Sequence, residues 1–83
     1  MILYFTSTRC APCKMFKPVV QQASAESGVG INFIDVDQQR DVAMKYGVTS
    51  VPTIIVESTG NVIYRNSGVM SKPQLIQVLS QFR

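Results

Sequence analysis

Residues 9 to 14 read Arg-Cys-Ala-Pro-Cys-Lys and hold both cysteines of an 83-residue chain, Cys10 and Cys13; histidine is absent. Two thiols three positions apart can serve a metal, a structural crosslink or chemistry. A tetrahedral zinc site takes four Cys or His ligands, and one Cys-x-x-Cys supplies two, so this chain closes such a site only with carboxylates or a second copy. A crosslink around a four-residue loop gains at most about 2 kcal/mol in the chain-entropy model, which is weak reinforcement.

The third use needs the residues as they stand. With Cys10 at the start of a helix, its sulfur meets unsatisfied backbone N–H groups carrying about half a positive charge. Pro12 suits the first turn, where its missing N–H would have had no partner. Cys13 follows on the same helical face, within disulfide reach, and Arg9 and Lys14 add positive potential. A free thiol with a pKa of about 8.5 is only about 3% ionised at neutral pH. Lowering it by about 1.5 pH units takes about 2 kcal/mol, within reach of a helix terminus with nearby cations. No metal is expected, and catalysis by the thiol pair fits best.

Outward from the pair, Phe16, Val19, Val20 and Ala23 recur at i, i+3, i+4 and i+7, opposite Lys14, Lys17, Gln21 and Gln22. This predicts an amphipathic helix ending near Gly28, with a kink at Pro18. Upstream, Ile2 to Phe5 is a short apolar run expected of a strand covered on both faces. Downstream, strands are predicted at Ile31–Val36, Thr53–Glu57 and Val62–Arg65, the last two joined by the turn Ser58-Thr59-Gly60-Asn61. Asp41 to Tyr46 is predicted as a short helix stopped by Gly47. Ser71 and Gln74 have capping-box spacing and open a last helix with Leu75, Ile76, Leu79 and Phe82 on its core face. The order β-α-β-α-β-β-α implies a mixed four-stranded sheet with helices on both faces. Its first two strands lie parallel through a right-handed crossover.

The totals agree with one small domain over residues 1–83. Such a chain buries about 60–65% of the surface its unfolded form exposes. With 46% hydrophobic and 16% charged residues it is globular rather than disordered, and no apolar run approaches a membrane span. The net charge of +3 is modest, and the aromatic interleaving of a nucleic-acid surface is missing; neither nucleic acid nor a membrane is expected as a partner. The basic residues are uneven, however: Arg9, Lys14 and Lys17 precede the first acid, Glu26. The opening Met-Ile-Leu-Tyr-Phe-Thr has no basic region, long apolar stretch or cleavage site of a secretory leader. The expected location is therefore a reducing cytoplasm, where close cysteines read as metal-binding or catalytic.

The segment Phe-Thr-Ser-Thr-Arg-Cys-Ala-Pro-Cys-Lys-Met-Phe-Lys-Pro (5–18) resembles the active-site segment of thioredoxins. Lys-Tyr-Gly-Val-Thr-Ser-Val-Pro-Thr (45–53) and Gly68 followed by Ser71-Lys72-Pro73-Gln74-Leu75 extend the resemblance over nearly the whole chain. It implies a thioredoxin-like α/β fold and a thiol–disulfide oxidoreductase with Cys10 as nucleophile and Cys13 as resolving cysteine. It also implies a cis Val51–Pro52 bond that turns the backbone of Val51 toward an extended substrate segment. Arg9, Ala11, Pro12, Val51, Pro52 and Gly68 would contact substrate, with Lys14 in support. No cofactor is implied, since the cysteines carry the electrons. The implied partners are disulfide-containing proteins and a thioredoxin-reductase-type recycling enzyme, with the chain itself a monomer.

The chain departs from the family pattern in four places. The usual first strand and helix are missing. Arg9 stands where a tryptophan is usual, so the docking surface is expected to be smaller and more charged. Tyr4 replaces the aspartate buried behind the resolving cysteine, and Phe33 replaces its lysine partner. The usual proton route to Cys13 is therefore not expected, leaving water or another neighbouring group to take that proton, and Tyr4 is expected to be a core aromatic. Two other readings compete: a glutathione-dependent, glutaredoxin-like enzyme, and a non-catalytic binding subunit. Against the first, Asn66-Ser67-Gly68-Val69 lacks the Gly-Gly and acidic pattern that glutaredoxins use for glutathione.

Overall fold

A computed structural model describes residues 1–82. Its elements are β1 (Ile2–Thr6), α1 (Ala11–Ser27), β2 (Asn32–Asp35), α2 (Arg40–Lys45), β3 (Thr53–Ser58), β4 (Asn61–Ser67) and α3 (Lys72–Gln81). The strands form one sheet in the order β2-β1-β3-β4, with β1 and β2 parallel and the β1/β3 and β3/β4 pairs antiparallel. The expected mixed, helix-flanked, four-stranded architecture is what the chain adopts. Among the described residues no helix is long and apolar enough to cross a membrane.

The two central strands are apolar at successive positions because both faces are covered. Ile2 and Tyr4 of β1, with Ile54 and Val56 of β3, point to the side where Phe16, Val20 and Ala23 of α1 and Leu75 and Leu79 of α3 close the larger core. Leu3, Phe5 and Ile55 point to the other side, against Ala43 of α2 and the loops around it. In α1 the buried positions are Cys13, Phe16, Val20, Ala23 and Ser27, alternating three and four residues apart. This stripe carries the helix unbroken through Pro18, at the loss of one backbone hydrogen bond. Gly28 ends it in the left-handed conformation with φ 71°, its N–H reaching the Ser24 carbonyl at 3.0 Å.

Five elements differ from expectation at their ends, β1 and β3 by running one residue further. β2 is shorter than Ile31–Val36: it pairs only with β1, over the four positions opposite Leu3 to Thr6, and the side chain of Asp35 accepts the Asp37 N–H at 2.9 Å, turning the chain away. β4 is longer, because its ladder with β3 runs from Ser58↔Asn61 to Thr53↔Ser67 around a bulge at Val56/Glu57. α2 begins and ends one residue earlier than its apolar pattern suggested. The β3–β4 turn has φ 52° at Thr59 and 84° at Gly60, the paired positive angles that suit a two-residue hairpin.

Candidate active site at the start of the first helix

The end of β1 delivers the chain to the mouth of α1, where Cys10 is the N-cap residue with extended backbone (φ −99°, ψ 108°). Its Sγ accepts the backbone N–H of Cys13 at 3.2 Å, satisfying one of the first-turn donors. Pro12 lies in the first turn. Cys10 and Cys13 are joined as a disulfide with their Cα atoms 5.2 Å apart. The two sulfurs are not equivalent, since Cys10 is partly exposed and Cys13 is fully buried. No acidic residue occupies the first turn, and Arg9, Ala11, Pro12 and Lys14 are all exposed around the pair.

The loop before β3 approaches from the other side. The Val51–Pro52 bond is cis, and the Val51 carbonyl oxygen lies 3.8 Å from Cys10 Sγ. Thr53 Oγ1 donates to the Ser50 carbonyl at 2.7 Å, bracing this loop. Gly68, with φ 96°, donates its N–H to the buried Pro52 carbonyl at 2.8 Å. Cys10, Cys13, Val51, Pro52 and Gly68 are thus brought together from three distant parts of the sequence. Arg9 and Lys14 stand exposed on the rim.

Tyr4 is a core residue, as expected, packed edge-on against Phe16 and Phe33 at centroid distances of 5.9 and 5.4 Å. It does more than fill space: its hydroxyl donates to the Cys13 carbonyl at 3.1 Å. Burial pushes its phenol above the ordinary value of 10.0, a hydrogen bond with Thr6 opposing the shift. Sequence reasoning missed this tie, which depends on where α1 lands against β1. It also missed an open apolar groove of about 370 Å³ beside Ala11 and Pro12, walled by Met15, Phe16, Val69 and Met70. Met15 is 79% exposed there, outside the buried stripe of α1. Among the described residues no group of three or more Cys, Asp or Glu side chains is gathered to hold a metal.

Comparison with known proteins adds three findings. The family model described as Thioredoxin matches residues 1–81. The chain is 37% identical to a thioredoxin of Mycoplasma pneumoniae, covering 98% of this chain and 80% of that one, and 35% identical to a thioredoxin of Bacillus subtilis, covering 93% and 76%. Among solved structures, a mutant thioredoxin from Halobacterium salinarum superimposes with a TM-score of 0.89 at 27% identity, covering 98% of this chain and 72% of that one.

Proposed function

The chain belongs to the thioredoxin family and is a thiol–disulfide oxidoreductase, and from that premise we propose that it reduces protein disulfides in two steps through a mixed disulfide. In the dithiol form, Cys10 attacks one sulfur of the substrate disulfide and the other leaves as a thiolate. Cys13 then attacks Cys10 Sγ, and the second substrate sulfur leaves. The substrate gains two electrons and the cysteine pair returns to the disulfide.

The observation that carries this reading is the Cys13 N–H aimed at Cys10 Sγ at 3.2 Å. That donor and the helix end behind it favour the thiolate, which is the attacking form. Exposure supports the roles: the partly exposed sulfur meets the substrate and the buried one resolves the adduct. Ala11 and Pro12 form the ledge beside Cys10. Val51 and Pro52 offer backbone to an extended substrate segment, Gly68 leaves its approach open, and Arg9 and Lys14 favour acidic flanks. The dithiol is regenerated by a thioredoxin-reductase-type enzyme in a reducing cytoplasm, with the chain acting as a monomeric single domain over residues 1–83.

The test is a pair of substitutions assayed on insulin and on a disulfide-bearing protein bait. Cys13→Ser should accumulate a covalent bait adduct, visible on a non-reducing gel and removed by dithiothreitol, while Cys10→Ser should form none and reduce no insulin. Equal trapping by both variants would overturn the two-step assignment. Sustained turnover with glutathione and glutathione reductase, but none with NADPH and thioredoxin reductase, would replace the recycling partner.

A further inference from the structure

In the second step Cys13 must lose a proton, and the buried group behind it is not equipped to take one. Tyr4 is a neutral phenol held above its ordinary range by burial, and its hydroxyl is spent on the Cys13 carbonyl. Phe33, across from it, carries no titratable atom. On the remaining side an open cleft of about 220 Å³ reaches Cys13, with Lys14, Lys17, Phe33, Asp35 and the segment Thr6 to Thr8 as its other walls. At about 30 Å³ per molecule in the liquid, that volume holds several waters.

The register of the sheet puts Asp35 there. β2 runs parallel to β1 with Phe33 opposite Tyr4 and Asp35 opposite Thr6. Alternate residues of a strand share a face, and the edge-on contact of Tyr4 with Phe33 shows that this face is the one under α1. One carboxylate oxygen, Oδ1, accepts the Asp37 N–H at 2.9 Å. Among the described residues no buried side-chain oxygen lacks a partner, so the other oxygen of Asp35 is open to the water of the cleft. The rival carboxylate, Asp37, accepts the Ser7 hydroxyl at 2.5 Å through Oδ2 and is not among the residues that line the cleft. Lys14 and Lys17 face the cleft from α1, with Lys17 Nζ 5.7 Å from the Phe33 ring centroid. Arg9 is tied to the same corner only by its backbone N–H, which donates to Ser7 Oγ. These cations supply no base.

We propose that Asp35 is the proton acceptor for Cys13, working through water in this cleft. The inference rests on the two-step reading above. The Cys13 S–H proton passes through water to the Asp35 carboxylate, and the freed sulfur pair forms the bond to Cys10 Sγ. The bond between Cys10 and the substrate sulfur breaks, and that sulfur leaves with the electron pair as a thiolate. The proton on Asp35 then returns through water to solvent or to the departing sulfur. The role moves from the strand behind Cys13 to the neighbouring strand, and from a buried acid to a hydrated one.

Stopped-flow reaction of the reduced protein with 5,5′-dithiobis(2-nitrobenzoate) separates the steps. A first release of thionitrobenzoate, dependent on reagent concentration, reports attack by Cys10; a second, independent of it, reports Cys13. In Asp35→Asn the second phase should slow at least tenfold at pH 7 relative to the first, in keeping with the size of general-base effects. Its rate should then rise in proportion to hydroxide, where the parent protein has a flatter profile. Asp35→Ser should behave alike, and Asp35→Glu should restore most of the rate and the flat profile. Asn and Ser variants within twofold of the parent at every pH, or a Glu variant as slow as Asn, would overturn the role of Asp35. A parent protein showing no second phase overturns the two-step reading and this role with it.

Discussion

The starts of α1 and α3 are built to one plan and differ in one element. At α3, Ser71 caps the helix by accepting the Gln74 N–H at 3.3 Å, and Pro73 lies in the first turn. At α1, Cys10 caps by accepting the Cys13 N–H at 3.2 Å, and Pro12 lies in the first turn. The returning contact is where they part. Gln74 Oε1 accepts the Ser71 N–H at 3.2 Å, completing a closed box. Cys13 returns instead to the cap atom itself, as a disulfide, while the Cys10 N–H goes back to the Ser7 carbonyl at 3.2 Å. A serine oxygen at such a place is a neutral acceptor and stays one. A sulfur can be an anion at neutral pH, so the donors that stabilise a helix in one case stabilise a nucleophile in the other. The helix end is general; the element that occupies it decides whether it becomes a site.

The largest expected effect tests the asymmetry inside α1. In the reduced protein Cys10 should be alkylated by iodoacetamide more than tenfold faster than Cys13 at pH 7, since only its sulfur combines the helix donors with exposure. The rate should fall as pH drops through a value below that of a free thiol, and peptide mapping by mass spectrometry assigns the sulfur. Equal rates would remove the distinction between cap and buried partner.

A smaller effect tests whether the plan itself acidifies a thiol. Ser71→Cys, in a Cys10→Ser, Cys13→Ser background, places sulfur at the α3 cap with no second sulfur beside it. An exposed helix end favours an anion by about 0.3–1 kcal/mol, so the new thiol should react up to about fivefold faster than free cysteine at pH 7 and show no disulfide reductase activity. Reactivity equal to free cysteine would mean that the acidity at α1 comes from its neighbours and not from the helix end.

Both starts were legible in the sequence because each is local: Cys-x-x-Cys and Ser-x-x-Gln place cap and partner three residues apart whatever the tertiary fold does. The continuous apolar run of β1 and the stripe of α1 were legible for the same reason. What could not be read depends on pairing between distant segments. The length of β4 is set by its partner strand and by a bulge. That Asp35 and Cys13 line one cleft follows from the parallel register Thr6↔Asp35, which no periodicity encodes. The cis bond at Pro52 was expected from family resemblance alone; its residues would equally suit an ordinary proline at the start of a strand. Met15 illustrates the remaining limit: it lies off the apolar stripe predicted for α1, and helical spacing says nothing of the open groove it borders.

The smallest effect concerns a brace that α1 has and α3 lacks. Tyr4 donates its hydroxyl to the Cys13 carbonyl at 3.1 Å from within the core. Tyr4→Phe keeps the ring and both edge-on contacts and removes that bond, so it should cost about 0.5–1 kcal/mol in urea unfolding of the disulfide form. The loss is limited because the same carbonyl also faces the helix's own N–H donors. The sign of the pH dependence separates this bond from generic packing. Burial raises the folded-state pKa of Tyr4 above its ordinary 10.0, so its contribution is fully present below about pH 10 and is lost as pH rises through the folded value. Tyr46 is raised in the same direction, chiefly by the hydrogen bond to Glu57, so the parent protein should weaken above pH 10 through two phenols. Tyr4→Phe should remove one of them, leaving a shallower alkaline decline. A variant that keeps the full decline would show that the Tyr4 hydroxyl is not shielded where the active-site helix begins, and that the α1 start rests on its own turn as the α3 start does.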